Sequence, residues 1–254
     1  MGAAITVSEL TLAWRERLAL KSLTGEFAAG SLTAVVGPNG GGKSSLLMAL
    51  AGQLRPVGGQ VQVAAALRGQ IAYLPQQSQL DRSFPVRVLD VVMLGHWGRQ
   101  GAWRGATRAR QLIALQALQA VGLGGLEARS LQELSVGQFQ RVLFARVLVQ
   151  DAAVILLDEP FAAVDAATTA DLLAVVQRWH TEGRTVVAVV HDLDQARSQF
   201  PHSLLLAREA VAWGATAMVL TAAHQARARR LAEGWDARGR GPSPAFGPLQ
   251  AVSA

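Results

Sequence analysis

A chain of 254 residues with 50% hydrophobic content is long and apolar enough to bury a sizeable core, either as one large domain or as a domain carrying an inserted lobe, which excludes a disordered chain. The absence of cysteine excludes disulfides and thiolate metal sites and fits a reducing compartment. A net charge of +6 arises from arginines such as Arg99, Arg104, Arg108 and Arg110, then Arg227, Arg229, Arg230, Arg238 and Arg240, which are read as a solvated basic surface rather than the patterned basic and aromatic face of a nucleic-acid binder, so no nucleic-acid partner is expected.

In chain order, the first segment alternates apolar and polar residues (Ile5, Val7, Leu10, Leu12, then Leu18, Leu20, Leu23, Phe27), the period of half-buried antiparallel strands. Residues 32–36 read as a buried strand. Residues 43–54 follow as a helix with Leu46, Leu47, Leu50 and Leu54 on one side, ended by Pro56 and Gly58-Gly59. From 78 to 150 the pattern is mostly helical, with helices expected at 86–94, 107–121 and 138–149 and a break at 122–125. Strand 153–157, helix 166–180, strand 185–190, helix 193–200 and strand 204–207 then alternate as in an α/β lobe with a parallel sheet.

The longest apolar runs, 152–157 and 185–190, are far shorter than the roughly 18 residues of a membrane-spanning helix. The start lacks a basic region followed by an apolar core, so no secretory signal is expected and the protein should stay in the cytosol. Gly2 and Thr6 fit a loose myristoylation pattern that such common residues meet by chance. The Gly- and Pro-rich segment 237–254 carries too little apolar content to pack and is expected to be a disordered tail.

Gly37-Pro38-Asn39-Gly40-Gly41-Gly42-Lys43-Ser44 fits G-x-x-x-x-G-K-[ST] between a predicted strand and a predicted helix, the context of a phosphate loop. Glycines let successive N–H groups turn toward one centre, and the helix adds its positive end. Lys43 would reach the β- and γ-phosphates of a nucleotide and Ser44 would put its hydroxyl on Mg²⁺. The apolar run 154–157 ends in Asp158-Glu159-Pro160, at the edge of an open α/β sheet where ligands bind. Asp158 there would hold Mg²⁺ and Glu159 would polarise the attacking water, although acids after a strand also serve as plain helix caps.

Many nucleoside triphosphatases share those two features. Leu134-Ser135-Val136-Gly137-Gln138 narrows the class, because here the chain resembles the ATP-binding subunits of ABC transporters, whose signature LSGGQ precedes a helix and the Asp-Glu strand; Gln140-Arg141 and Ala145-Arg146 continue the likeness. Ser135 is also simply a good N-cap for a helix beginning near Gly137. The resemblance implies a P-loop NTPase of the ABC ATPase type: a RecA-like parallel-sheet core with an antiparallel β subdomain (1–77 and 151–236) and an inserted helical subdomain (78–150). It implies that ATP and Mg²⁺ are the cofactors, and that Ser135, Val136, Gly137 and Gln138 close over the γ-phosphate held by a second copy, so that ATP is sandwiched in a dimer.

Other positions take their roles from the same resemblance. Trp14 stands where the family stacks an aromatic on adenine, Ser45 follows the phosphate loop within the ATP site, and Gln76 reports Mg²⁺ and the attacking water to the membrane partner. Asp165 matches the aspartate that communicates across the dimer, and His191 the histidine that bonds the γ-phosphate. Each is weak alone, since a Trp can be core, a Gln loop and a His structural. Val136 replaces the family's usual glycine and would penalise a positive φ. Ala162 replaces a frequent serine, removing a hydroxyl from the expected dimer interface.

The stretch Tyr73-Leu74-Pro75-Gln76-Gln77, Leu80 to Val86, Leu89 to Val92 and Leu94-Gly95 looks like the zinc, manganese and iron importer branch, and later segments are similar to bacterial zinc importers. Zinc is the expected cargo, manganese next. An integral-membrane permease and, indirectly, a metal-binding protein are the expected partners, at the cytoplasmic face of the cell membrane. The five histidines show no metal-ligand spacing, so this subunit should not touch the cargo. An ABC exporter subunit and a non-transport ABC protein are the alternatives.

Overall fold

The computed structural model describes residues 2–15, 17–76, 85–96 and 107–238. Expectations resting on Gln77, on residues 80–84, on Arg99 and Arg104, and on the tail from Gly239 lie outside these residues.

The N-terminal alternation builds a three-stranded antiparallel sheet in the order β2 (Arg17–Ala28), β1 (Ala3–Trp14), β4 (Gly58–Val63). The buried residues of β1 change parity between Val7 and Leu10, because the ladder slips there. Glu9 (φ 48°) and Ser22 (φ 46°) on the two strands are both in the left-handed region, and Thr24 and Thr11 hydroxyls accept the Glu9 and Ser22 N–H groups at 2.9 and 3.1 Å. A bulge of this kind keeps both halves of a strand facing one core. Gly59, expected to end a helix, instead opens β4 against this bulge: at φ 68° a Cβ would lie 2.3 Å from the Ser8 carbonyl oxygen.

The second sheet runs β5 (Ile71–Leu74), β6 (Val154–Leu157), β7 (Thr185–Val189), β3 (Leu32–Val36), β8 (His202–Leu206), β9 (Ala210–Ala215). All pairs are parallel except β8 with β9. Side chains alternate between two apolar layers. Val154, Leu156, Val187, Val189, Leu204 and Leu206 join one with α1 (Lys43–Leu50) and the antiparallel sheet. Ile155, Leu157, Val186, Ala188 and Leu205 join the other with α2 (Val88–Met93), α3 (Arg108–Ala120), α4 (Val136–Gln150) and α5 (Ala166–Thr181). Phe144 of α4 stacks on Trp179 of α5 with centroids 5.7 Å apart, a contact worth about 0.5–1.5 kcal/mol beyond area burial.

Three strands, β4, β5 and β9, escape the sequence pattern, and helix α1 ends at Leu50 rather than residue 54, with Gly52 left-handed at φ 74°. After α6 (Leu193–Gln199) and the short α7 (Thr216–Val219), α8 (Ala222–Arg238) carries helix past the expected boundary at 236. Because β3, β5, β6, β7 and β8 are parallel, their C-terminal ends share one sheet edge. There Gly37, Gln76, Asp158, Glu159, His191 and Arg208 meet.

Candidate functional site

Gly37 leaves β3 with φ 145°, and a Cβ on it would sit 1.9 Å from the Leu206 carbonyl oxygen, so no other residue fits. Gly42 (φ 91°) is the N-cap of α1, with no side-chain cap and no acid in the first turn. The first N–H groups of α1 are therefore left for an anion. Lys43 folds back over the loop, its Nζ donating to the Gly37 and Pro38 carbonyls at 2.9 Å each. Burial holds its ammonium below the usual lysine range, with the Glu159 and Asp158 carboxylates acting against that.

The acidic end of β6 lies directly opposite. Ser44 Oγ donates to Asp158 Oδ1 at 3.0 Å, and Tyr73 Oη donates to Asp158 Oδ2 at 3.4 Å. Burial pushes the Asp158 carboxyl up, opposed first by the Ser44 hydrogen bond, and burial with the Asp158 charge keeps the Tyr73 phenol protonated. This pair supplies hard oxygen donors, one neutral and one acidic, which fits Mg²⁺ completed by phosphates and water. Among the described residues no cluster of three His, Cys, Asp or Glu could hold a metal by itself.

Glu159 takes φ 51°, a left-handed conformation that costs about 1–2 kcal/mol for a residue with a Cβ. It is pinned by Asp158 N–H donating to Leu74 O at 2.9 Å and Ala162 N–H donating to Glu159 O at 3.2 Å. Gln76 Nε2 donates to its Oε2 at 2.7 Å, and His191 Nε2 lies 2.6 Å from its Oε1. Strand ends β5, β6 and β7 thus bring the three expected catalytic residues into one hydrogen-bonded group.

These residues border a cavity of about 600 Å³. Trp14, Asn39, the loop from Gly40 to Ser45, Gln76, Glu159 and His191 line it, whereas Gly37 and Pro38 do not line it and give their carbonyls to Lys43. Trp14 is 48% exposed, with one edge fixed by Nε1 donating to Ser45 Oγ at 2.9 Å, so it is not a core residue. Sequence reasoning missed Tyr73, whose phenol needs the β5–β6 pairing to reach Asp158, and Arg17 and Arg208, which also line the cavity but belong to no motif.

The signature does not join this cavity. Ser135 Oγ accepts from Gln138 N–H at 3.2 Å and Gln138 Oε1 accepts from Ser135 N–H at 3.0 Å, a capping box on α4. Helix α4 begins at Val136, ahead of the expected start at 138, and Val136 is absent from the positive-φ residues, so its Cβ meets no such penalty in this conformation. Asp165 caps α5, accepting from Thr168 N–H at 2.8 Å and its hydroxyl at 3.0 Å, which hold its carboxyl below the usual range. A Cβ on Gly137 would lie 3.1 Å from Thr168 Oγ1, so the two helix starts form one unit. Gln140 Nε2 of α4 donates to Pro160 O at 2.7 Å, tying that unit to the acidic turn.

A phosphate loop at the sheet edge, facing a Mg²⁺-competent aspartate and a glutamate held over the cavity, defines the class as a P-loop nucleoside triphosphatase. Residues 20–162 match the ABC transporter family, and the chain belongs to that family as an ATP-hydrolysing cassette. The manganese transport system ATP-binding protein MntB of Listeria monocytogenes is 37% identical over 219 residues, covering 85% of this chain and 91% of its own. The zinc transport system ATP-binding protein TroB of Treponema pallidum is 38% identical over 229 residues, covering 89% and 86%. In structure, the chain is similar to an ABC transporter described as metal-chelate type in an inward-facing conformation, with TM-score 0.80, 29% identity and 90% of each chain covered.

Proposed function

We propose that this chain energises import of a divalent transition metal, zinc first and manganese second, by hydrolysing ATP in a sandwich of two copies bound to a membrane permease. The observation that carries the catalytic part is the Gln76–Glu159–His191 group above the phosphate loop. Lys43 and the N–H groups of α1 hold the β- and γ-phosphates, and Trp14 stacks on the base. Ser44 and Asp158 would hold Mg²⁺, which neutralises phosphate charge when bound. Glu159 accepts the proton of the attacking water, Gln76 orients that water, and His191 donates to the γ-phosphate.

Two copies are required on this reading, because Ser135 to Gln138 and Asp165 stand apart from the cavity of their own chain. Facing a second copy head to tail, the α4 N-terminus would meet that copy's γ-phosphate as an anion site. A second cavity of about 420 Å³, with Ile113, Leu148 and Val149 beside Arg178, Glu182 and Arg184, offers an apolar floor and charged rim to a short permease helix. It adjoins Gly95 and His96, in the helical lobe (78–150) that follows Gln76. None of the described helices is long and apolar enough to cross a membrane, so the permease would hold the chain at the membrane's inner face.

Deleting the gene and growing cells under graded zinc or manganese limitation, with cell metal content measured, tests the cargo. A growth defect relieved by zinc supports the reading; one relieved by manganese moves the cargo to the second metal; normal growth and metal content under both limitations would sink it.

A further inference from the structure

The phosphate loop is braced by a cavity-lining residue that no motif marks. Arg208 lies in the turn between β8 and β9, with φ 59°. Its backbone N–H donates to Gly41 O at 2.8 Å and its Nε donates to Gly40 O at 3.2 Å. Its guanidinium carbon lies 5.6 Å from the ring centroid of Trp235, in α8. A trans peptide directs its N–H opposite to its carbonyl, so the main-chain bond to Gly41 O sets the Gly42 N–H on the other side, at the cavity that Gly42 lines; that bond is independent of the side chain, which acts through Gly40 O. Gly40 and Gly42 are both left-handed, at φ 71° and 91°; within the loop Gly41 N–H donates to Pro38 O at 3.1 Å, and the Arg208 side chain adds its hold on the carbonyl of that same Gly40–Gly41 peptide.

We propose that Arg208 is a positioning residue for phosphate binding, seated on Trp235 so that the C-terminal helix α8 sets the affinity of the phosphate loop for nucleotide. The inference rests on residues 37–44 being the phosphate site. Preorganised N–H groups spare the ligand the entropy of ordering a glycine loop, so loss of the brace weakens binding and leaves the bond-breaking step alone. Charge by itself does not suffice, because a lysine lacks both the planar face that lies on Trp235 and the Nε donor.

The test is ATP affinity of the full chain by titration without Mg²⁺, beside KM and kcat for Mg-ATP. Arg208→Ala and Arg208→Lys should both weaken ATP binding roughly ten-fold, the loss of a charge-assisted hydrogen bond. Trp235→Leu should weaken it about two- to five-fold and Trp235→Phe should restore it, as a cation–π contact requires. KM should rise in step, with kcat within about two-fold of wild type, and the Arg208→Ala/Trp235→Leu pair should bind no worse than Arg208→Ala alone. Wild-type affinity in Arg208→Lys, or failure of Trp235→Phe to restore binding, overturns the proposal. Should Trp235→Leu fail to fold by circular dichroism, Arg208→Lys decides the matter. Absence of ATP binding by the wild type would instead remove the phosphate site on which the inference stands.

Discussion

Replacing Asp158 by asparagine separates what this carboxylate does for the fold from what it does for the chemistry. Asp158 is 1% exposed, and burial is the largest influence on its carboxyl, raising its pKa. Taking a carboxylate out of water costs several kcal/mol even after relaxation. Hydrogen bonds from Ser44 and Tyr73, about 1.5 kcal/mol each to a charged acceptor, and the attraction of Lys43 offset most of this. Asparagine keeps an acceptor for Ser44 and has no ion to desolvate. The metal-free Asp158→Asn protein should therefore be more stable by about 1–2 kcal/mol, equivalent to about 2–6 °C in Tm for a chain of this size.

The sign of the pH dependence follows from the direction of that shift. A carboxyl whose pKa is raised on folding contributes stability that is complete below its unfolded value and lost as pH rises through its folded value. The advantage of the variant is thus full above the folded value and fades as pH falls through it toward the ordinary aspartate value of 3.8. Scanning calorimetry in EDTA, from neutral pH down to about pH 4, reads this directly. Mg²⁺-dependent phosphate release, measured in parallel, should be abolished. A lower Tm in EDTA at neutral pH, or undiminished hydrolysis, would refute the assignment of Asp158 as a metal ligand held at the expense of the fold.

Glu159→Gln should bind ATP and accumulate as a dimer, seen by size-exclusion chromatography; a folded variant that stays monomeric with saturating ATP would remove the sandwich. Gly37→Ala should destabilise the fold by about 3 kcal/mol or more in denaturant titration, because its Cβ would lie 1.9 Å from the Leu206 carbonyl oxygen. Ser45→Ala should weaken ATP binding about two- to five-fold by freeing the Trp14 indole, with quenching of Trp14 fluorescence by ATP reduced; unchanged affinity and quenching would show that the ring needs no such fixing.

The chain order of short motifs was readable without coordinates because each depends on local chemistry. Gly37 to Ser44 needs glycines and a helix start, Asp158-Glu159 needs a strand end, and Ser135 to Gln138 needs a capping box, all of which lie within a few residues. The buried parallel strands β3, β6 and β7 were readable for a related reason, since both faces are covered and their residues are apolar apart from Thr33 and Thr185. Strand β4 was not, because GGQVQV at the edge of its sheet leaves only half-buried residues between exposed ones, and its leading glycines look like a terminator. Helix α8 was missed because its residues are largely charged or small and show little apolar face.

What sequence alone determined is therefore the class of protein, an ATP-hydrolysing cassette, and the order of its motifs along the chain. Only the tertiary structure decided how they are held. Gln76 reaches Glu159 across a separation of 83 positions because β5 and β6 pair in register, and Arg208 reaches Gly40 across 168 because β8 lies beside β3. Likewise the left-handed Glu159 follows from the contacts around it. Local propensity has no term for a neighbour that the chain brings in from so far away.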